Sequence, residues 1–359
     1  MQLDNTAGTT PQRRYDIDWL RTIALGLLIV YHIVITFQPW AKTIYFIQND
    51  ESLDWLWIPM SMLNVWRIPL LFMVSGMGVR FAMERRDWKQ LLLDRTVRIA
   101  VPFTFGFFVI CPIVAYSVLD YYDMEAGYTP KAGHLWFLIN IFLYVLYYIG
   151  ILWAFKTYPD NPFLRFISRL LRRPWVIFAA ALPLMLEAWL VNPEYFANYP
   201  TPHGHFLGMV CFATGVVFVS LKNDFWRAVQ RVRLSALTLA VLFFAVPLLV
   251  YELEGVPKYL IAFESMCWML AILGYGSVYF NKPSSRLSYL SKAVFPVYII
   301  HFPVQYAITY YLVPLTLPAI LKLGILLIGT FGLSLLLYEF VIRRIKRIRP
   351  LFGMKLHPG

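Results

Sequence analysis

The sequence predicts an all-α, polytopic membrane protein with about ten transmembrane helices. Hydrophobic residues make up 59% of its 359 residues and charged residues only 14%, whereas about one quarter of the residues of a soluble domain are charged. Apolar stretches of about 20 residues, long enough to cross a bilayer as a helix, recur along the whole chain. The predicted spans lie at 17–39, 57–81, 99–119, 134–155, 174–192, 204–221, 235–252, 259–280, 288–312 and 318–342.

No long polar linker separates these spans, which predicts a single membrane domain over residues 1–359. A polar N-terminal tail, 1–14, and a basic C-terminal tail, 343–359, flank the spans. The apolar run after Arg14 lacks the small-residue cleavage site of a signal peptide, so we expect a retained first span. The three cysteines lie far apart in apolar runs without metal-site spacing, and no metal site is predicted.

The distribution of Lys and Arg predicts that both ends of the chain face the cytoplasm, because these residues are retained on that side of a bilayer. The two ends and alternate connections hold all but five of the 32 Lys and Arg residues. The five exceptions are Lys42, Arg67, Lys131, Lys258 and Lys322. The net charge of +12 is thus spread over short clusters at the membrane faces, which favours a lipid bilayer over nucleic acid as the partner.

Three ionisable residues of the first span, Asp18, Arg21 and His32, share one helical face. At 100° per residue, Arg21 and His32 differ by about 20° around the axis and lie about 16 Å apart along it. An ionisable side chain within a span costs about 3 kcal/mol or more at the centre, which makes this face a functional candidate. A packing histidine, with Arg21 as a boundary anchor, would give the same pattern.

The second span contains Arg67, followed by Pro69 and Ser75. A buried arginine keeps its proton and needs a carboxylate, a carbonyl or a ligand anion. Glu187 and Glu264 are the candidate carboxylates, and a structural ion pair is the alternative to a ligand site. We expect Pro69 to break the helix beside Arg67, so that the freed backbone groups line a cavity.

Arg95 and Arg98 stand at the predicted cytoplasmic start of the third span. Their spacing places both guanidinium groups on one helical face, one turn apart, where they are suited to binding a phosphate group. A pair of positive-inside anchors would look the same.

Four histidines are further candidates for substrate binding. His134, His203 and His205 fall at the predicted outer mouth, where they would meet a polar substrate or water. His301 lies within the ninth span, and Tyr298 shares its helical face. The sequence contains no Walker, HExxH, GxSxG or paired CxxC motif, so any chemistry is expected to depend on histidine.

Taken together, these segments form a recognisable order along nearly the whole chain: YDIDWLR…YH, RIPLLFMVSG, DRTVRIAVP, HLWFL and VYIIHFPV. In this order they resemble the acyltransferase-3 family of bacterial membrane O-acyltransferases, and most closely the branch of the osmoregulated periplasmic glucan succinyltransferases. The resemblance implies an inner-membrane enzyme that moves a succinyl or acetyl group from cytoplasmic acyl-CoA to a hydroxyl of a periplasmic carbohydrate. It implies no permanently bound cofactor.

The resemblance also assigns residues. His32 matches the family's essential histidine, Asp18 and Arg21 match its D-x-L-R motif, and Arg95 and Arg98 match its R-x-x-R motif. His32 is then the predicted general base for the attacking hydroxyl. Many relatives carry a periplasmic esterase-like domain after the spans, which this sequence lacks, so we expect the membrane domain and its short outer loops to handle the acceptor.

An acyl-transfer mechanism predicts roles for the remaining candidates. Arg67 would polarise the thioester carbonyl or bind a distal carboxylate, and Glu187 or Tyr298 would orient His32. The predicted acyl-CoA-binding residues are Arg21, Arg95, Arg98, Asp18 and Ser75. The predicted acceptor-binding residues are His134, Trp136, His203, His205 and His301.

Alternatives to this mechanism stay open. A covalent acyl-His32 intermediate is an alternative to direct transfer, and a homodimer is possible. The rival class is a transporter or flippase for a small anion or a lipid-linked sugar, because intramembrane His and Arg also line permeation paths. The sequence shows no internal repeat between its halves, which many transporters have.

Overall fold

The computed structural model describes residues 13–193, 201–253 and 255–356. It is 80% helical, and ten of its helices within these residues are long and apolar enough to cross a membrane, which confirms an all-α, polytopic membrane protein. The helices, numbered in chain order, are α1 (Tyr15–Ile35), α2 (Asp54–Glu84), α3 (Trp88–Tyr121), α4 (Gly133–Thr157), α5 (Pro162–Leu170), α6 (Pro174–Val191), α7 (Pro202–Ser220), α8 (Asn223–Val250), α9 (Lys258–Tyr279), α10 (Ser285–Leu312) and α11 (Ala319–Ile342).

The predicted spans correspond to ten of these helices, but α3 and α8 begin earlier than predicted. α3 begins at Trp88 rather than at 99, and Asp87 caps it by accepting a hydrogen bond from the Gln90 N–H over 2.8 Å. α8 begins at Asn223 rather than at 235. The first turns of α3 and α8 carry charged residues. A hydropathy pattern leaves such turns out of a predicted span, although the helix includes them. The sequence also does not predict α5, which at nine residues is too short to span a bilayer.

α2 continues through Pro69 as one helix, so the predicted break beside Arg67 is wrong. Close contact with α7 supports α2 at this depth. A Cβ added to Gly76 would lie 2.1 Å from the carbonyl oxygen of Phe212, and one added to Gly215 would meet the α2 backbone equally closely. Glycine therefore permits the two backbones to touch, as at other small-residue contacts between membrane helices. Such packing allows a membrane helix to tolerate proline.

α1 occupies the middle of the bundle and contacts α2, α9, α10 and α11. One cluster of buried hydrophobic residues surrounds its first half, and a second cluster surrounds its second half. The part of α1 from Asp18 to His32 therefore runs through the interior of the protein.

The first loop, residues 36–53, folds over the end of α1. Its ends are tied together, because the Leu53 N–H donates a hydrogen bond to the Phe37 carbonyl over 2.8 Å. Lys322 of α11 is buried and donates to the Asn49 side-chain oxygen over 3.0 Å. These contacts hold the loop over this end of the bundle, which we call the first-loop face.

The C-terminal segment Lys346–Phe352 packs back onto α3. Phe352 is buried, and its ring centroid lies 5.6 Å from that of Phe105. Gly353 has a φ of 70°, and a Cβ there would lie 2.9 Å from the Arg98 carbonyl oxygen, so both backbone and space require glycine. The described part of the predicted basic tail is thus docked beside Arg98. Residues 357–359, and all but the last two residues of the predicted N-terminal tail, lie outside the described residues.

Candidate active site

Two clusters of ionisable side chains lie along the polar face of α1. The arginine cluster lies near the beginning of α1, at an end of the bundle that we call the arginine face; its members are Arg21, Arg95 and Arg98. The histidine cluster lies near the first-loop face; its members are His32, His134 and His301. At 1.5 Å per residue, Arg21 and His32 are separated by about 16 Å along the helix axis.

His32 of α1 forms a hydrogen bond with His301 of α10. The distance from His32 Nδ1 to His301 Nε2 is 3.1 Å, and the two rings are stacked with 5.4 Å between centroids. The second nitrogen of His301, Nδ1, lies 2.6 Å from the Tyr298 carbonyl oxygen. His301 is completely buried, so its two hydrogen bonds satisfy both ring nitrogens inside the protein.

The direction of these hydrogen bonds assigns the protons. A carbonyl oxygen only accepts, so Nδ1 of His301 carries the hydrogen that it donates to Tyr298. With neutral imidazoles, Nε2 of His301 is then an acceptor, and Nδ1 of His32 donates to it. This leaves Nε2 of His32 with a lone pair, and within the described residues it forms no hydrogen bond. The chain from Tyr298 through His301 therefore holds His32 in the tautomer that can accept a proton.

His134 completes the histidine cluster from the start of α4. Its ring centroid lies 5.2 Å from that of His301, and its Nε2 lies 3.2 Å from the Ile299 carbonyl. The ring of Phe302 stacks on His134 with 4.3 Å between centroids and meets His32 edge-on at 4.7 Å. His134 and His301 are buried beneath these rings, whereas His32 keeps part of its surface accessible.

Arg67 is a buried cation beside this cluster, with 3% of its surface exposed. Its guanidinium group lies over the ring of Tyr31, 3.7 Å from the centroid, and its charge acts on His32. Its Nε and Nη1 atoms are buried without a hydrogen-bond partner. Such donors cost free energy unless a ligand satisfies them.

The arginine cluster joins two distant parts of the chain. Arg21 lies 3.2 Å from Asp18, and Arg98 lies 3.1 Å from Asp94. The charges of Arg21 and Arg98 each act on Arg95, whose Nε is buried and has no hydrogen-bond partner. Asp18 also binds Arg13, over 2.7 Å, and Asp94 also binds Arg86, over 3.4 Å. Two carboxylates thus bind four arginines, and within the described residues Arg95 forms no ion pair, which leaves the cluster with uncompensated positive charge.

Local backbone geometry distinguishes the part of α3 that carries Arg98. Residues Thr96–Ala100 form a π-helical turn, in which one residue more than in an α-helix fits between hydrogen-bonded partners. Such turns are rare and frequently occur at functional sites. The turn also lies where the C-terminal segment docks, with Gly353 against the Arg98 backbone.

A family model with the description "Acyltransferase domain" matches residues 14–339, which include both clusters and the spans that carry them. The chain belongs to the acyltransferase-3 family. No curated protein and no solved structure gives a match. The sequence resemblance to the family is therefore confirmed, while the glucan succinyltransferase branch stays a prediction.

In this acyltransferase His301, rather than Glu187 or Tyr298, supplies the hydrogen bond that orients His32. Glu187 binds Nδ1 of His203, over 2.9 Å, in a buried pair. The Tyr298 hydroxyl donates a hydrogen bond to the His134 carbonyl. The backbone oxygen of Tyr298 accepts the hydrogen bond from His301 Nδ1. The sequence could not distinguish these arrangements, because each partner comes from another helix.

The predicted carboxylate partners of the acyltransferase's Arg67 are also wrong. Glu187 is engaged with His203, and Glu264 accepts a hydrogen bond from the Trp268 indole over 3.0 Å. Within the described residues, no carboxylate forms an ion pair with Arg67. The need for a ligand oxygen at this guanidinium group is correspondingly stronger.

The predicted acceptor-binding residues do not form one site. His301 is committed to the histidine cluster, and His134 is buried rather than exposed at the mouth. His203 is buried with Glu187, and Trp136 is buried against Phe72. His205 is half-buried, and its ring nitrogen lies 2.9 Å from the Asn140 side-chain oxygen. His203 and His205 thus bind Glu187 and Asn140 rather than His32.

The remaining donor-site prediction concerns Ser75, whose hydroxyl donates to the Leu71 carbonyl of its own helix over 2.7 Å. Within the described residues, no group of three or more His, Cys, Asp or Glu residues has the geometry of a metal site.

The sequence reasoning missed four residues at the site: Tyr31, Phe46, Phe302 and Gln305. Gln305 lies one helical turn from His301 and donates to the His32 carbonyl over 2.9 Å, so its spacing alone could have suggested it. Tyr31 and Phe302 are apolar neighbours of histidines, and such neighbours are common in any membrane helix.

Proposed function

We propose that this acyltransferase moves a succinyl or acetyl group from cytoplasmic acyl-CoA to a hydroxyl of a periplasmic glucan or another extracytoplasmic carbohydrate. The observation that carries the proposal is the hydrogen-bond chain from the Tyr298 carbonyl through His301 to His32, which leaves His32 Nε2 as a base inside a membrane acyltransferase. Membership of the family supports the reaction class.

Acyl-CoA is the proposed donor because its phosphate groups match the uncompensated charge of the arginine cluster. Arg95 has an unpartnered buried Nε, and Arg98 shares its carboxylate with Arg86. Arginine binds phosphate oxygens with paired, charge-assisted hydrogen bonds. The pantetheine arm would then run along the polar face of α1, which ends at His32, and bring the thioester to the histidine cluster.

In the proposed reaction His32 Nε2 takes the proton of the acceptor hydroxyl as its oxygen attacks the thioester carbonyl carbon. A C–O bond forms, the C–S bond breaks, and the coenzyme A thiolate leaves with the proton from His32. The acceptor gains an acyl ester, and His32 returns to its neutral tautomer. His301 would stabilise the transient imidazolium by accepting its Nδ1 hydrogen bond.

Arg67 is proposed to stabilise the oxyanion that forms on the thioester carbonyl. Its charge acts on His32, and its buried Nε and Nη1 hydrogens have no partner in the described residues. Donors that are already fixed and desolvated are effective where negative charge develops. Alternatively, the same hydrogen-bond donors would bind the distal carboxylate of a succinyl group. In that case loss of Arg67 would affect succinyl-CoA but not acetyl-CoA.

The proposed orientation places the arginine face in the cytoplasm and the first-loop face in the periplasm of a bacterial inner membrane. It rests on the excess of Lys and Arg at the ends and alternate connections of the chain. The donor would enter from one face and the carbohydrate from the other, and they would meet at His32.

The direct test uses purified protein in detergent with a glucan acceptor and, separately, succinyl-CoA and acetyl-CoA. Mass spectrometry of the glucan should show an added acyl group, and coenzyme A thiol should appear in equal amount. His32→Ala should abolish both products. His357→Gln, a histidine outside the described residues, is the matched control and should retain both. Equal turnover by wild type and His32→Ala would contradict the proposal.

A second assay separates direct transfer from an acyl-His32 intermediate. Labelled free coenzyme A is incubated with acyl-CoA and protein but without acceptor. Direct transfer predicts no exchange of label into acyl-CoA, whereas a two-step route requires it.

A further inference from the structure

The first loop places an aromatic ring beside the histidine cluster. The ring centroid of Phe46 lies 6.4 Å from that of His32, 5.7 Å from Phe302 and 5.5 Å from Tyr306. Phe46 is buried, with 8% of its surface exposed, although it belongs to a loop at the end of the bundle. It therefore lies between the cluster and the first-loop face.

Hydrogen bonds to the backbone hold Phe46 in this position. The Tyr122 hydroxyl donates to the Phe46 carbonyl over 3.0 Å and accepts from the Gln48 N–H over 2.9 Å. The Tyr306 hydroxyl donates to the Tyr45 carbonyl over 3.0 Å. Tyr122 directly follows the last residue of α3 and Tyr306 lies in α10, so the loop is hydrogen-bonded to the bundle on either side of the ring.

The residue before Phe46 has a strained backbone. Tyr45 has a φ of 64°, in the left-handed region that bulky side chains rarely adopt. Such strain persists only where the surroundings enforce it, and it is concentrated at ligand clamps and switches. The Tyr45 side chain is exposed at 59% and lies under the Lys131 ammonium group, 5.2 Å from the ring centroid. The strained residue thus faces the side from which an acceptor would arrive.

We infer that Phe46 is the gate that decides which nucleophile reaches His32. With the gate closed, its ring covers His32 from the first-loop face and blocks the approach of water from that side. When a sugar ring stacks on Tyr45, the two adjacent residues move together, the strain is released, and a carbohydrate hydroxyl replaces Phe46 beside His32. The inference rests on the proposed function, because it assigns the specificity of that same site for carbohydrate over water.

A gate is needed because water competes with every hydroxyl acceptor. If water reached His32 beside bound acyl-CoA, its oxygen would attack the thioester carbonyl and its proton would pass to His32. The C–S bond would break, and the coenzyme A thiolate would leave with that proton. The products would be a free carboxylic acid and coenzyme A, and the donor would be wasted. Excluding water until the acceptor is present prevents this side reaction.

The test compares acyl-CoA hydrolysis without acceptor in three proteins: wild type, Phe46→Ala and the double variant His32→Ala with Phe46→Ala. Phe46→Ala should raise hydrolysis at least about tenfold over wild type, because water then enters the site. The double variant should return to background, since His32 performs the leak reaction. Phe163→Ala on α5, whose ring is exposed, is the control and should match wild type.

Two milder variants keep the inference testable if Phe46→Ala fails to fold. Tyr122→Phe removes two hydrogen bonds that hold the gate and should raise hydrolysis by about three- to tenfold. Its neighbour Tyr121 forms no side-chain hydrogen bond in the described part of the chain, so Tyr121→Phe should have no effect. Phe46→Trp keeps a larger ring in place and should slow transfer to glucan without raising hydrolysis.

Unchanged hydrolysis in both Phe46→Ala and Tyr122→Phe, with glucan transfer intact in wild type, would overturn the gate and leave the proposed function standing. Absence of glucan transfer in wild type would overturn the proposed function and the gate with it. A rise in hydrolysis that survives His32→Ala would show a leak elsewhere and would also overturn the gate.

Discussion

The histidine cluster and the arginine cluster lie on the same face of α1 but are built in opposite ways. In the histidine cluster, His301 is completely buried and both of its ring nitrogens are hydrogen-bonded. In the arginine cluster, two carboxylates are shared among four arginines, and Arg98 keeps 36% of its side chain exposed. The difference supports the proposed division of roles, in which the buried, fully bonded site transfers a proton and the charged, partly exposed site binds an anion reversibly.

The largest expected effect separates the two clusters most clearly. His32→Ala should reduce the rate of glucan acylation about 10²–10⁴-fold, because it removes the general base. Affinity for coenzyme A, measured by calorimetry, should stay within about twofold of wild type, since the arginine cluster is untouched. A comparable loss of coenzyme A affinity would contradict the separation.

Arg67→Met should reduce turnover about 10²–10³-fold, the usual cost of losing an oxyanion donor. The reduction should be equal with acetyl-CoA and succinyl-CoA, because both develop the same oxyanion. Arg67→Lys keeps the charge but not the paired donors and should recover only part of the rate. A loss confined to succinyl-CoA would instead assign Arg67 to the distal carboxylate.

His301 is a positioning residue, and its substitution should have an intermediate effect. His301→Leu should reduce turnover about 10–100-fold, a typical cost of removing the partner that orients a functional histidine. His301→Gln retains an acceptor oxygen for the His32 Nδ1 hydrogen and should be faster than His301→Leu. Equal rates in the two variants would indicate that His301 contributes packing alone.

Substitution of Arg95 and Arg98 should act on binding rather than on chemistry. The double variant Arg95→Gln with Arg98→Gln should raise KM for acyl-CoA by about 10–100-fold, because charged hydrogen bonds to phosphate are lost. The maximal rate at saturating acyl-CoA should be nearly unchanged. The effect should weaken as salt is added, since these charges are partly exposed.

The smallest effect is expected at Glu187. Glu187→Gln leaves an amide beside His203 and should change turnover by less than about threefold, because Glu187 binds His203 rather than His32. The thermal midpoint of the protein should fall instead, since a buried pair is broken. A loss of turnover as large as that of His32→Ala would contradict this prediction and would indicate that Glu187 acts in catalysis.

The sequence predicts the membrane fold and the polar face of α1 because both depend on local periodicity. Asp18, Arg21 and His32 are related by the geometry of a single helix, and in the structure Arg21 pairs with Asp18 while His32 binds His301. The spacing of Arg95 and Arg98 is local in the same way. The ten spans follow from apolar length alone, although α3 and α8 extend into charged turns.

Contacts between helices could not be predicted in this way. The partner of His32 is His301, 269 positions later, and nothing in either segment indicates their register. Glu187 is attractive as a buried carboxylate, but only the packing of α6 against α7 shows that His203 binds it. Pro69 illustrates the converse, because the contact of Gly76 and Gly215 between α2 and α7 supports a helix that local rules would break.

The division of labour between the clusters is tested most directly by single-turnover acylation of glucan at saturating acyl-CoA, with His32→Ala and the Arg95→Gln, Arg98→Gln double variant side by side. The account predicts that saturation restores near-wild-type turnover to the arginine variant and restores none to His32→Ala. Equal loss in both variants at saturation, or recovery of His32→Ala, would contradict it.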